Sequence, residues 1–250
     1  MVQRKAVSLP QQVTMARDTA YPYRANMGMI NSAEWVTFFD DFTGVTASNA
    51  PDGWTAIIDT GATAVDGAEA GGVIDISSDG VDEGVGLYLP KSIHLTGKKW
   101  FMEVRVKVED ADDNIIAFGL SDLVATTNPE DLYDTSNADG ISFGTTTDAE
   151  ATPLLVYDKD NGGPVTDTPA GTTFDLADDT WHTLALYYNG ATVDAQKALI
   201  AYVDGSEATR ASTNAQVPED VVLAPFVAAL VEDDATDIIS IDYVRFAIER

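Results

Sequence analysis

Residues 100–109 read WFMEVRVKVE, and this stretch decides the fold. Trp100, Met102, Val104, Val106 and Val108 fall on one side of an extended chain, with Glu103, Arg105, Lys107 and Glu109 on the other. Successive side chains of a β-strand point to opposite faces, so strict alternation of this kind marks a strand with one buried face. Similar short runs occur at 72–77, 84–89, 115–121, 140–144, 153–157, 181–188, 198–203, 224–230 and 238–248. Clusters of Gly, Asp, Asn and Thr separate them. Asn189-Gly190 and Asp204-Gly205 follow strand patterns at points where a tight turn needs positive φ. No stretch makes an amphipathic helix of more than two turns, and no repeat with a period of about 20–50 residues is present. The pattern predicts an all-β, antiparallel two-sheet β-sandwich of jelly-roll type.

Composition bounds the answer further. A chain of 250 residues that is 45% hydrophobic suffices for one large sandwich as a single domain. No apolar run approaches the roughly 20 residues of a membrane span. The opening MVQRKAVSLPQQVTMARDTA lacks the apolar core of a secretory signal, so an unprocessed start is expected. Cysteine is absent, which excludes disulfides, thiolate metal sites and cysteine nucleophiles.

The net charge of −27 is unevenly placed. Residues 1–36 carry Arg4, Lys5, Arg17 and Arg24 against Asp18 and Glu34, a balance of +2 that leaves −29 for the remainder. So acidic a body repels nucleic acid and anionic membranes, and neither is expected as a partner. Residues 1–36 show no periodicity, contain Pro10 and Pro22, and set Tyr21 and Tyr23 around the second proline. They read as an extended N-terminal arm, with the sandwich occupying 37–250.

Several segments carry a family resemblance. FFDDFTG (38–44) followed by Trp54 resembles the first strand and tryptophan of concanavalin A-like domains, and KKWFMEVRVKV (98–108) their long central strand. IAFGLSD (116–122) and DGISFG (139–144) look like the paired strands that follow. DDTWHTLALYYNG (178–190) is similar to a strand and turn of laminin G-like modules. ALIAYVDG (198–205) looks like its partner, and IDYVRF (241–246) like the closing strand. The resemblance spans roughly residues 36–250. It implies the fold of the lectin-glucanase sandwiches, which hosts lectins, glycanases, adhesion modules and virion proteins alike.

Chemistry is harder to find. Glycanases need two carboxylates across the sugar, about 5–5.5 Å apart for retention. The resemblance implies Glu-x-Asp-x-Glu on one strand, and this chain has no such run. Glu103 shares its face with Arg105 and Lys107, which reads as a solvated charge ladder. The acidic stretches 109–113 and 232–237 fall in expected loops. His94 and His182 are the only histidines, too few for a triad or a zinc site without other partners. No catalytic residue is assigned, and the expectation is that the protein is not an enzyme. Calcium is the metal to weigh, because Asp158, Asp160 and Asn161 bring oxygen donors to a turn ending in Gly162. The later bidentate glutamate of an EF-hand is missing, so an acidic loop without metal is expected and no metal or cofactor site is assigned. Trp54, Trp100, Trp181, Tyr187 and Tyr188 are stacking candidates for sugar that at strand positions more often serve the core.

The function expected from these features is structural. The chain reads as a virion protein, a bacteriophage capsid decoration (cement) protein, in which Arg4, Lys5, Arg17, Tyr21, Tyr23 and Arg24 of the arm bind capsid or other virion proteins, or a neighbouring copy in a homo-oligomer. The alternative is a non-catalytic carbohydrate-binding or adhesion module of laminin G-like type, extracellular or at a cell surface, with a glycan as ligand.

Overall fold

The computed structural model describes residues 35–42, 51, 53–66, 72–80, 82–122, 128–134, 139–145, 151–160, 162–169, 174–232 and 237–250. In chain order its strands are β1 (Trp35–Asp40), β2 (Thr55–Ile58), β3 (Thr63–Asp66), β4 (Ile74–Ser77) and β5 (Glu83–Tyr88). Then come β6 (Lys99–Val108), β7 (Asn114–Ser121), β8 (Gly140–Thr145), β9 (Leu154–Asp158) and β10 (Val165–Asp167). The last five are β11 (Thr180–Asn189), β12 (Leu199–Val203), β13 (Ser206–Arg210), β14 (Ala224–Val231) and β15 (Ile239–Glu249). They form two antiparallel sheets. The first runs β13-β12-β11-β6-β15-β4-β3, with β1 also paired to β15, and the second runs β10-β9-β8-β7-β14-β5-β2.

The expected sandwich is present, and the alternation that predicted it explains why. Trp100, Met102, Val104 and Val106 of β6 are fully buried between the sheets, against Ile116 and Phe118 of β7 and Phe143 of β8. Phe118 and Phe143 meet edge to face at 6.1 Å, an arrangement favoured by the ring quadrupole. Asp204-Gly205 closes the β12–β13 hairpin with φ of 49° and 81°, as a primed turn requires. β1 starts at Trp35, which pairs with Glu249, so the chain joins the sheet two residues before the boundary read from composition.

Two features depart from the sequence reading. The short strands β2, β3, β10 and β13 were not predicted, because each has only 3–5 residues and takes its pairing from a longer neighbour. Nor is the charged side of β6 simply solvated. Phe101 and Glu103 are each only 1% exposed on the outer side of the first sheet.

Each sheet therefore has an outer apolar cluster in addition to the shared core. On the second sheet, Ile57, Ile115, Ala117, Phe226, Ala228 and Leu230 pack with Leu132 and Tyr133. Those last two belong to a short crossing segment whose 3-10 turn, Pro129–Leu132, is capped by the Asn128 side chain accepting from the Glu130 N–H at 3.1 Å. Gly86 makes room for it, since a Cβ there would sit 2.6 Å from Leu132 Cδ1. On the first sheet, Phe101, Ala185, Ile200, Tyr202 and Ala247 cluster, flanked by Trp35, Tyr187 and Ala198.

Candidate functional site

The polar half of the first sheet's outer face is where chemistry collects. β6 sends Glu103, Arg105 and Lys107 to this side, and β11 places Trp181 opposite Lys107 and Thr183 opposite Arg105. β15 completes the strip through an irregularity. Its register against β6 shifts between Ile241 and Tyr243, so Ile239 and Ile241 face the core before the shift, and Val244 and Phe246 after it. A β-bulge of this kind re-aims side chains. Here Asp242 and Tyr243 both reach β6: Asp242 pairs with Arg105, and the Tyr243 hydroxyl donates to Glu103 Oε1 at 2.9 Å.

The aromatic groups are ordered by charge. The Arg105 guanidinium lies 4.5 Å from the Trp181 ring centroid and Lys107 Nζ 5.3 Å from it. Such cation–π contacts hold the indole and the two cations together. Phe39 on β1 meets Tyr243 at 5.8 Å between centroids and is 59% exposed. A side chain of that size left in water on a strand, beside a hydrogen-bonded tyrosine, is available for stacking on an apolar ligand face.

The other residues singled out in the sequence are placed as follows. Trp54 donates its indole N–H to Asp40 Oδ2 at 2.8 Å, and Trp100 is 0% exposed, so both serve the core. Tyr188 is also core, and its hydroxyl lies within hydrogen-bond reach of Glu219. Trp181 and Tyr187 stand instead on the outer face. His182 accepts from the Ala177 N–H at Nε2 (3.0 Å), which places its proton on Nδ1, 2.7 Å from Asp204 Oδ2. Asp204 also accepts the Thr183 N–H at 2.8 Å. Burial pushes the Asp204 carboxyl up, but the bonds from His182 and Thr183 outweigh it and hold the group below the usual carboxylate range. This histidine latches the β12–β13 turn onto β11.

In the loop weighed for calcium, Asp158 accepts the N–H groups of Lys159 (2.7 Å) and Gly163 (3.3 Å), so both its oxygens close their own turn. Asn161 lies outside the described residues. Among the described residues no group of three acidic, histidine or cysteine side chains gathers as a metal would need. The six arm residues Arg4, Lys5, Arg17, Tyr21, Tyr23 and Arg24 also lie outside the described residues.

No family model and no curated protein matches the chain. Solved structures do. The carbohydrate recognition domain of Emp47p is similar with a TM-score of 0.55 at 15% identity, covering 86% of this chain and 97% of that one. The fold is concanavalin A-like. Arcelin-5, a lectin-like defence protein from Phaseolus vulgaris, is similar with a TM-score of 0.54 at 11% identity, over 86% of this chain and 98% of that one. An endo-1,3-beta-glucanase from Streptomyces sioyaensis is similar with a TM-score of 0.56 at 14% identity, over 86% and 96%.

The glucanase overturns the expectation that this concanavalin A-like chain is not an enzyme, since the same fold carries a catalytic activity over nearly the whole of both chains. That expectation rested on the lack of two carboxylates along one strand. On this sheet Glu103 of β6 is held by Tyr243 of β15 and Asp242 of β15 pairs with Arg105 of β6, an arrangement across adjacent strands that no linear spacing reveals. The solvated charge ladder is corrected too. Glu103 is buried and hydrogen-bonded, and Arg105 and Lys107 are stacked on Trp181.

Proposed function

We propose that this protein recognises carbohydrate through the polar strip on the outer face of the first sheet. The observation that carries the reading is the bulge in β15, which sets Asp242 and Tyr243 beside Arg105 and Glu103, with the exposed Phe39 ring as a stacking surface. Sugars present alternating hydroxyl edges and apolar ring faces. A site for them needs fixed hydrogen-bonding groups next to an aromatic plane, held on rigid elements. Here Glu103, Arg105, Lys107, Asp242 and Tyr243 are each held by a partner on a neighbouring strand, so little ordering remains to be done on binding. The lectin and glucanase neighbours support this choice over other uses of the fold.

The test is a glycan array followed by calorimetry on the best hit, with intact protein, Phe39→Ala and Asp242→Asn. Affinity should fall about tenfold or more in each variant, corresponding to about 1.4 kcal/mol. A glycan bound equally well by all three proteins, or no glycan bound at all, would overturn the assignment. Chain cleavage of the bound glycan, lost on changing Glu103 or Asp242, would make the strip an active site.

A further inference from the structure

We propose that the carbohydrate held by this strip is acidic, a glycan bearing carboxylate groups, and that Arg245 is the side chain that receives the anion. The inference rests on the carbohydrate reading of the same strip and adds the chemical class of the sugar. The first ground is where the positive charge lies. Beyond the arm the chain has 39 acidic and 10 basic side chains. Five of those ten, Lys99, Arg105, Lys107, Arg210 and Arg245, stand on the outer face of the first sheet. Among the described residues five acidic groups share that face: Asp75, Glu103, Glu207, Asp242 and Glu249. The face thus balances, whereas the remaining side chains of the body number 34 acidic against five basic. Charges farther off than about 8–10 Å are screened at physiological salt, so the local balance decides whether an anion is repelled.

The second ground is which cation is left over. Lys99 pairs with Glu249 at 3.3 Å, Arg210 with Glu207 at 2.8 Å, and Arg105 with Asp242. Lys107 lies against the Trp181 ring. Glu103 stands directly opposite Arg245 in register, yet it accepts from the Tyr243 hydroxyl. Among the described residues Arg245 makes no ion pair; its guanidinium lies over the Phe101 ring instead, 5.4 Å from the centroid. A guanidinium presents a planar fork of N–H donors that matches a carboxylate with two parallel hydrogen bonds.

The third ground is what stands beside it. Phe39 is the register partner of Arg245 on β1, and its ring is 59% exposed. Opposite residues of an antiparallel pair have Cβ atoms about 4.5–5.5 Å apart, comparable to the width of a pyranose ring. A hexuronate seated with its apolar face on Phe39 therefore carries the carboxylate at its edge toward β15 and Arg245. Arg105, whose side chain is 38% exposed, gives Nη1 to Asp242 and keeps its other N–H groups for sugar oxygens. A neutral sugar in the same place would cover Arg245 without giving it a counter-charge, and that cost is the source of the discrimination.

The test uses hexasaccharides of glucuronate, galacturonate, mannuronate and guluronate, each beside its carboxyl-reduced neutral form, with a sulfated galactan hexasaccharide for comparison. The acidic member of at least one pair should bind about tenfold more tightly than its neutral form or better. That margin should shrink when NaCl is raised from about 0.05 M to about 0.5 M. Arg245→Met should remove most of the margin, and Arg245→Lys, which keeps the charge without the fork, should restore part of it. Phe39→Ala should weaken both members of the pair alike. Neutral forms bound as tightly as acidic ones, and still weakened by Phe39→Ala, would overturn the acidic assignment while leaving the carbohydrate reading in place. A margin untouched by Arg245→Met, or a preference for the sulfated glycan over every uronate, would also overturn the proposal. Binding of neither form of any pair, nor of the sulfated glycan, would overturn both readings together.

Discussion

The outer faces of the two sheets start from similar material and end differently. Each carries an apolar cluster on its outward side, and each has tyrosine at the margin. The second sheet's face, with Ile57, Ile115, Phe226 and Leu230 at its centre, is closed by the crossing segment at Leu132 and Tyr133. Burial pushes the Tyr133 phenol well up, reinforced by Glu130, Glu232 and Asp134. Ser142 ties the segment down by donating to the Tyr133 carbonyl at 3.4 Å. The first sheet's face is divided. One half is an apolar cluster, and the other is a strip of paired charges and partly exposed aromatic rings set by one bulge. A face closed by apolar anchors contributes stability, whereas a face of pre-positioned polar groups has its binding potential still in hand.

The sharpest way to break this contrast is to remove an anchor from the closed face. Leu132→Ala should destabilise the protein by about 2–5 kcal/mol in urea unfolding, with glycan affinity unchanged once the protein is folded. A change of only a few tenths would mean that the segment is not part of the folded core.

Next comes Tyr243→Phe, which takes the phenolic donor from Glu103 on the strip. Leaving a buried carboxylate with one donor fewer should cost about 1–3 kcal/mol. Urea unfolding curves of the two proteins check it.

A smaller effect is expected at the margin of the first sheet. The Asp204 carboxyl is held below its ordinary range in the folded state. Its contribution is therefore present above the unfolded carboxylate value of about 3.9 and is lost as pH falls through the lower folded value. Asp204→Asn should flatten the acid limb of stability while keeping the turn, because asparagine also tolerates positive φ. Hydrogen exchange under acid should then reach β12 and β13 before β7 and β14.

The smallest stability effect belongs to Phe39→Ala, within about 0.5 kcal/mol because the ring already stands in water. This is the change expected to weaken glycan binding about tenfold. Stability that barely moves while affinity falls would sharpen the division between the two faces, and the reverse would erase it.

Much of the architecture was legible beforehand. The alternation in β6, the apolar run of β14 and the Trp-His strand β11 each sit where the pattern placed them, because a strand's inward face must be apolar whatever its neighbours are. The site was not legible. Glu103 and Arg105 look like an exposed ladder when β6 is read alone, and the closing strand IDYVRF looks regular. Only pairing with β6 shows that Asp242 and Tyr243 share a bulge and reach across to different partners.

The residues by themselves determined that this chain folds as an antiparallel sandwich, where its longer strands run, that no thiol chemistry is open to it, and that its body is strongly acidic. Those properties are local or additive, set by side-chain periodicity, composition and charge. The tertiary structure alone decided which face is closed and which carries the polar strip, and that Glu103 and Asp242, 139 positions apart, are each held by a residue of the other's strand. The reason is physical: register between strands distant in sequence is fixed by the packing of the whole core, and no single strand contains it.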